Sequence, residues 1–495
     1  SPKTKSKNNT NFAASYLAMS LLEPGLAKPI PQGEMPPDLI TDFYLIRFAS
    51  SNARQMARHL ELAFDFREVA YRGLETGALS IASHVLQCND IMMEFMNPLE
   101  CPVPASTCVS PPASPVMAAA EDLLHGHPNR TSMAELCLRL LKVRKQISQY
   151  VIGGQSTAAT RQKLLDHAAA NSLAEFINLH GVGVCDILFK VTDANALYEY
   201  AIANGALPVT QPMVHSDQNG SVVLATIALP TADLHHTFVQ ILDYTGKYLP
   251  GYGGPSTRAI SSIFCGIKLQ AIDHCVLNFS WNQMMPNAEF YALALGFRKF
   301  WSVDDRDVST GNTGLRLMVM TNTNGNVKIP INEPAKVKLK GQIEEFYEFY
   351  GGPGVQHVAL RSTDILSDVT FLRSRGLEFN TISDEYYRNL KKRLDMHKIT
   401  LFESLSALRE NHILVDFDPD SKVERTDGTF SCFYILQIFS KPLHDRPTFF
   451  YEFIQRHNHD GFGKGTFKGL FESIEREQEL RGTLGTADHE LATSN

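Results

Sequence analysis

The chain has 495 residues, 44% of them hydrophobic and 20% charged, the balance of a globular protein long enough for two or more domains. A net charge of −7 argues against a general nucleic-acid or anionic-membrane binder, and no run reaches the roughly eighteen apolar residues of a membrane span. None of the eight cysteines forms a CxxC pair, so a reduced, cytoplasmic setting is the simpler expectation.

Residues 1–38 are polar, then Pro-rich, and read as a tail. AASYLAMSLL (13–22) is too short and poorly flanked for a signal peptide; with Ser1 in first place, a removed leader stays open. Asn8, Asn129 and Asn278 head N-x-S/T triplets, which carry no meaning without secretion. From Ile40 a pattern begins that returns after Leu269. TDFYLIRF (41–48) lines up with IDHCVLNF (272–279), and in both a helical stretch follows and closes on Phe-Arg, at Phe66-Arg67 and Phe297-Arg298. GVGVCDILFKVTD (181–193) likewise lines up with GPGVQHVALRSTD (352–364), and each is followed by a glycine at the same offset, Gly205 and Gly376. Such matching over that length indicates an internal duplication.

The first half is longer between its landmarks. The excess falls at about 98–172, where a Pro/Ser stretch precedes Ala/Leu/Lys-rich helical segments. LRLLKVRK (138–145) there reads as an amphipathic helix with a solvated face. Each unit runs strand, helix, short strands, as in AIDHCVLNF, NAEFYALALGF, FRKFWSV and LRLMVMT. Phe290, Ala294 and Phe297 give the helical spacing, and Gly296 is suited to end it. The expected architecture is α+β: βαβββ modules used four times, in two pseudo-equivalent halves whose sheets curl around a cavity. The expected boundaries are a first domain at 39–265, a second at 266–482 with a closing helix at 466–481, and a tail at 483–495.

The duplication supplies an internal control. At matching positions the first half carries Phe43 and Asp186, and the second carries His274 and His357. A lone histidine in a strand is ordinarily a hydrogen-bonded core residue, but core packing gives no reason for two histidines in one half only. A metal site kept in one half does. A third ligand is expected from FFYEFIQR (449–456), where Glu452 would be costly to bury unpaired. Alternation puts Phe450, Glu452 and Ile454 on one face, and Ile435, Gln437 and Phe439 on one face of the preceding strand. In TFVQILDY (237–244) the first-half counterpart of Glu452 is Gln240 or Ile241. Two imidazoles and one carboxylate on one face of an octahedral ion leave positions open for substrate and oxygen, the pattern of non-haem Fe(II) oxygenases.

Other motifs are weaker. HNHD (457–460) reads as a polar surface turn, and His235-His236 as exposed. GFGKGTFKG (461–469) lacks the ending and context of a phosphate loop. It reads as a hinge into an amphipathic helix whose apolar residues are Phe467, Leu470, Phe471 and Ile474. Such a helix could close over a cavity and exclude water.

PINEPA (330–335), FWSVDD (300–305), GGPGVQHVAL (351–360) and LQIFSKPLHDRPTFFYEFIQRHNHDGFGKGTFKGLFESIEREQ closely resemble the 4-hydroxyphenylpyruvate dioxygenase family of the vicinal oxygen chelate (glyoxalase-like) superfamily. The similarity runs from about Ile40 to Leu484, apart from the insertion, and is densest after Ala271. It implies an open-barrel Fe(II) site in the C-terminal half, an aryl 2-oxo acid and O2 as substrates, homogentisate and CO2 as products, and a place in tyrosine and phenylalanine catabolism. It implies a homodimer as well. His274, His357 and Glu452 match the family's iron ligands. Asn332, Gln342 and Gln437 match polar residues that contact the substrate. Gln356 matches another, although alternation would turn it away from His357. Phe439, Phe450, Phe462 and Phe467 match aromatic walls, with core packing as the bland reading of each.

Pro330 and Phe467 separate this family from its sister, hydroxymandelate synthase, which hydroxylates the benzylic carbon of the same substrate and usually differs at both places. The chain also departs from the family. Leu317 stands where a pocket serine is usual, and Thr466 replaces a common asparagine. Losing a hydroxyl removes a hydrogen bond worth about 1 kcal/mol, so substrate identity is the open point. The alternatives are a related 2-oxo acid oxygenase, of hydroxymandelate type or acting on another aryl-pyruvate, and a non-enzymatic small-molecule-binding protein.

Overall fold

The computed structural model describes residues 38–99, 158–256, 266–303, 309–426, 428–463 and 465–485. The expectations for AASYLAMSLL, the Pro/Ser stretch, LRLLKVRK and the last two residues of FWSVDD lie outside them.

Two eight-stranded sheets carry the chain, each built from two βαβββ modules. In the first half these are β1 (Ile40–Ala49), α1 (Ala53–Phe64), β2 (Arg67–Arg72), β3 (Ile81–Cys88) and β4 (Ile91–Pro98). Helix α2 (Ala158–His180) follows, then β5 (Gly183–Val191), α3 (Ala194–Ala203), β6 (Leu207–Asp217), β7 (Gly220–Ala228) and β8 (His235–Ile241). The second half repeats the order with β9 (Leu269–Asn278), α4 (Met284–Leu295), β10 (Arg298–Val303), β11 (Leu315–Thr321) and β12 (Lys328–Pro334). After α5 (Gln342–Tyr350) come β13 (Gly354–Ser362), α6 (Ile365–Ser374), α7 (Asp384–His397), α8 (Leu405–Glu410), β14 (Leu414–Glu424), β15 (Phe430–Phe439) and β16 (Phe450–His457). Helix α9 (Phe467–Arg481) ends the series.

The strand orders are β2-β3-β4-β1-β5-β8-β7-β6 and β10-β11-β12-β9-β13-β16-β15-β14. The two central strands of each sheet, β1 with β5 and β9 with β13, run antiparallel and join the modules. Each has a parallel outer neighbour, β4 and β8 in one sheet, β12 and β16 in the other. The two halves of paired βαβββ modules expected from the repeats are found.

The repeated residues have local jobs. The aspartates of the shared Thr-Asp pairs cap helices: Asp193 accepts from the Ala196 N–H at 3.0 Å and Asp364 from the Ser367 N–H at 3.1 Å. Gly205 and Gly376, with φ of 102° and 92°, turn the chain out of the helices that precede them.

The duplication extends to defects in pairing. β1–β5 has bulges at Thr41, Tyr44 and Cys185; β9–β13 has them at Gln270, Asp273 and Gln356, in matching places. This register corrects one equivalence. Leu188 faces Leu45 and Ala359 faces His274, so the counterpart of His274 is Leu45 rather than Phe43. Helices α1 and α4 do follow the Phe66/Phe297 alignment, because the link from strand to helix is two residues longer in the second half.

The halves pack through one continuous apolar core. Phe48 meets Phe449 edge-on at 5.1 Å, Phe64 meets Tyr451 at 5.3 Å, and Phe189 meets Phe297 at 6.2 Å. His236, expected at the surface, is fully buried on β8 beside β5 and hydrogen-bonds the Tyr291 hydroxyl of α4 at 2.9 Å; His235 is half-buried. His457 is likewise no turn residue: it closes β16, stacks on Tyr434 at 4.1 Å and lies 3.0 Å from Glu403.

Candidate metal centre

Three strands of the second sheet bring the proposed ligands together. On β9, the bulge at Asp273 lets Asp273 and His274 both turn inward. On β13, the bulge at Gln356 does the same for Gln356 and His357, which is why alternation misjudged Gln356. On β16, Glu452 faces the gap between them. Glu452 Oε2 lies 3.1 Å from His274 Nε2 and 3.3 Å from His357 Nε2. All three residues are buried, and their donor atoms lie within 4.8 Å of one another. Among the described residues this is the cluster able to hold a metal ion.

The outward atoms of all three are already engaged. His274 Nδ1 donates to Asp273 Oδ1 at 2.8 Å, and His357 Nδ1 donates to Gln356 Oε1 at 3.0 Å. Gln437 Nε2 donates to Glu452 Oε1 at 2.8 Å. Each ring therefore presents Nε2 to the common point, and the carboxylate presents Oε2. Adjacent corners of an octahedron with bonds of about 2.1 Å are about 3 Å apart, close to the two carboxylate–imidazole spacings. Two imidazole nitrogens and one carboxylate oxygen are a donor set that suits one ion such as Fe(II).

Electrostatics distinguish the two imidazoles. Burial disfavours the charged ring in both. For His274 the carboxylates of Glu452 and Asp273 overcome this and raise the pKa; for His357 burial wins and lowers it. Burial would raise Glu452, but the two imidazoles outweigh it and hold its pKa at about 2.

Around this point stand aromatic rings. Phe450 stacks on His357 at 4.8 Å, Phe439 meets it edge-on at 6.0 Å, and Phe462 meets His274 edge-on at 5.0 Å. Trp301 lies between Phe462 at 5.8 Å and Phe467 at 6.2 Å. Gln342, the first residue of α5, accepts from Gln356 Nε2 at 3.2 Å, so an amide chain runs Gln342–Gln356–His357. A cleft between α5, α9 and the β15–β16 loop is lined by Gln342, Gln356 and Phe450 on its inner side.

Pro330, Asn332 and Leu317 sit further along the barrel, with Leu317 directly opposite Asn332 on β11. Asn332 Nδ2 donates to Asn278 Oδ1 at 3.1 Å, leaving Asn332 Oδ1 and Asn278 Nδ2 buried without partners. Sequence reasoning missed Asn278, Asp273 and Arg456. For the last two the signal was available: an acid beside a strand histidine needs a partner, and Arg456 lies four residues beyond Glu452 on the same face.

Thr466 shares its one hydroxyl hydrogen between Gly463 O at 2.7 Å and Gln437 Oε1 at 3.3 Å, so this departure from the family pattern still touches the amide that holds Glu452. Gly463 is left-handed, with φ of 80°, and a Cβ there would run into Gln437 Oε1 and Thr466 Oγ1. Gly463→Ala is expected to displace Gln437 and weaken metal binding by about tenfold or more; calorimetric titration of the metal-free protein checks this, and unchanged affinity would contradict it.

The first half shows what the same framework holds without a metal. Asp186 occupies the place of His357, and Thr237, not Gln240 or Ile241, that of Glu452, as the pairing of β5 with β8 and β13 with β16 shows. Asp186 accepts from the Thr237 N–H and hydroxyl at 3.0 and 2.7 Å. Arg47 bridges it to buried Glu94, with contacts of 2.7 and 2.6 Å, and Tyr248 and Tyr252 donate to Glu94 at 2.8 and 2.5 Å. A guanidinium fills this interior.

Comparison with known proteins agrees with the geometry. The Glyoxalase/Bleomycin resistance protein/Dioxygenase superfamily model matches residues 271–397. A 4-hydroxyphenylpyruvate dioxygenase of Aspergillus fumigatus is 38% identical over 435 residues, 88% of this chain and 91% of that protein. One from Xenopus tropicalis is 36% identical over 89% of this chain and 92% of its own length. Among solved structures, a variant of 4-hydroxymandelate synthase from Streptomyces coelicolor superposes with a TM-score of 0.63 at 22% identity, covering 90% of this chain and 100% of that one, a likeness of fold. A duplicated βαβββ framework, a three-residue donor set in one half and relatives of this identity over nearly their whole length lead to one conclusion: the chain belongs to the 4-hydroxyphenylpyruvate dioxygenase family.

Proposed function

We infer that the protein is an Fe(II)-dependent dioxygenase that converts 4-hydroxyphenylpyruvate and O2 to homogentisate and CO2. The observation that carries this reading is the convergence of two Nε2 atoms and one carboxylate oxygen on one buried point. His274, His357 and Glu452 would hold Fe(II) there, and the ion would supply activation of the 2-oxo acid and of dioxygen.

The chain's own residues prepare that chemistry. Glu452 brings one negative charge, and the neighbours of all three ligands fix their orientation in advance. Phe439, Phe450, Phe462 and Phe467 wall the ring-binding space and exclude water. Gln342, Gln437, Gln356 and Asn332 offer the polar contacts for the substrate. Helix α9 lies over the site, with Leu470 and Phe471 buried and Arg481 paired to Glu345 of α5 at 2.9 Å. Pro330 and Phe467 favour ring over benzylic hydroxylation. Leu317, paired across the strands with Asn332, whose buried Oδ1 has no partner, favours one second reading: an aryl-pyruvate other than the 4-hydroxyphenyl compound.

Tyrosine and phenylalanine catabolism, a cytoplasmic setting and a homodimer complete the proposal. Four described cysteines, Cys88, Cys185, Cys275 and Cys432, are free thiols, which suits a reducing compartment. No described helix is long and apolar enough to cross a membrane.

Oxygen uptake tests the reading. Protein stripped of metal and reloaded with Fe(II) is expected to consume O2 on addition of 4-hydroxyphenylpyruvate, releasing one CO2 per O2; the Zn(II)-loaded protein is expected to be inert. Uptake independent of the metal, or faster with phenylpyruvate, would sink it.

A further inference from the structure

We propose that Asp273 and Arg456 form a positioning pair that sets the His274 imidazole and its aromatic cover, Phe462, as one unit. This rests on the reading of His274, His357 and Glu452 as metal ligands.

Asp273 is fully buried, and its two oxygens take four donors. Oδ1 accepts from His274 Nδ1 and from Arg456 Nη2, both at 2.8 Å; Oδ2 accepts from Arg456 Nε at 2.8 Å and from Arg361 Nε at 3.2 Å. The Arg456 contact is the two-pronged guanidinium–carboxylate pair, whose planar geometry fixes both partners. The remaining Arg456 nitrogen, Nη1, donates to the carbonyls of His459 and Gly461 at 2.9 and 2.8 Å. Those carbonyls belong to the turn that delivers Phe462, whose ring lies 5.6 Å under the guanidinium and edge-on to His274 at 5.0 Å.

A closed circuit results: His274, Asp273, Arg456, the 459–461 turn, Phe462 and back to His274. Arg456 itself stands four residues beyond Glu452 on β16, so the circuit also ties two of the three ligands through one strand. The first half has the same bulge, but with Tyr44 and Leu45 in place of Asp273 and His274. The carboxylate is present where the ligand is present. His357 differs, since its Nδ1 rests on the neutral amide of Gln356. Asp273 is therefore a positioning residue specific to one ligand, and Arg456 passes its position to the cover.

Titration with Co(II), followed by its visible ligand-field absorption, tests this on the full chain. Asp273→Asn keeps one acceptor but loses the charge and one arm of the fork; affinity is expected to fall 10- to 100-fold, with an altered spectrum. Arg456→Lys touches no ligand directly and cannot serve both the carboxylate and the turn. It is expected to weaken Co(II) binding several-fold, and it carries the test if Asp273→Asn does not fold. A structural role alone would lower the melting temperature of the metal-free protein yet leave affinity and spectrum unchanged in the folded variant; that result overturns the inference. Wild-type protein that binds no Co(II), or binds it no better than His357→Ala, overturns the ligand reading with it.

Discussion

Replacing His357 with alanine is expected to abolish metal retention and turnover while the fold survives. The substitution removes one of three donors from a site that has no fourth protein ligand among the described residues. The two that remain, His274 and Glu452, stay held by Asp273 and Gln437. Gln356 keeps its bond to Gln342, and Phe450 loses a stacked ring. The structural cost is that of an ordinary core substitution, about 1–3 kcal/mol, against complete loss of bound metal. Metal analysis after gel filtration and circular dichroism of the same sample separate the two effects. A variant that retained wild-type metal and activity would show the site assignment to be wrong.

The second large effect belongs to the half without the metal. Arg47→Leu is expected to destabilise the protein by about 3–5 kcal/mol, because it strands Glu94 and Asp186 in the interior without their shared cation. Burial disfavours a charge on Arg47, and the Glu94 and Asp186 carboxylates outweigh this, so the guanidinium stays ionised. Glu94 is held below the usual carboxylate range: burial opposes it, and Arg47 and the Tyr252 hydroxyl prevail. The two charges depend on each other, which is the condition under which removing one is costly. Denaturant unfolding checks this; a loss under about 1 kcal/mol would mean that the network contributes little. Folded Arg47→Leu protein should bind metal as before, since no group of this network is among the donors or their partners.

The two predictions rest on features that the sequence disclosed unequally. The four modules and the asymmetry between halves were legible because a duplication lets one half serve as a control for the other. His274, His357 and Glu452 stood out because each puts a costly polar group into an apolar strand. Register was harder. The shared motif around Asp186 and His357 aligns without gaps, but the first strands slip by two residues because the link to the helix is longer in the second half. Alternation assumes an even pleat, so it turned Gln356 away from the site, where a bulge turns it in. It also cannot fix the offset between parallel strands joined by a long crossover, which is why Thr237 rather than Gln240 or Ile241 faces Asp186. His236 looked exposed from its polar neighbours, yet β8 lies inside the sheet, where its side chain meets Tyr291 of the other half. Asp273 and Arg456 each carried a signal in the sequence, one as an acid beside a strand histidine and one on the face of Glu452, but they are far apart in the chain and their pairing comes from the fold.

The most direct measurement is the fate of isotopically labelled dioxygen. The Fe(II)-loaded protein, given 4-hydroxyphenylpyruvate and labelled O2, is expected to yield homogentisate with one labelled atom in the new ring hydroxyl and one in the side-chain carboxylate, with unlabelled CO2 released. Mass spectrometry of the product and its fragments reads this in one experiment. Label on the benzylic carbon of hydroxymandelate, or no product from protein that holds its iron, would contradict the account.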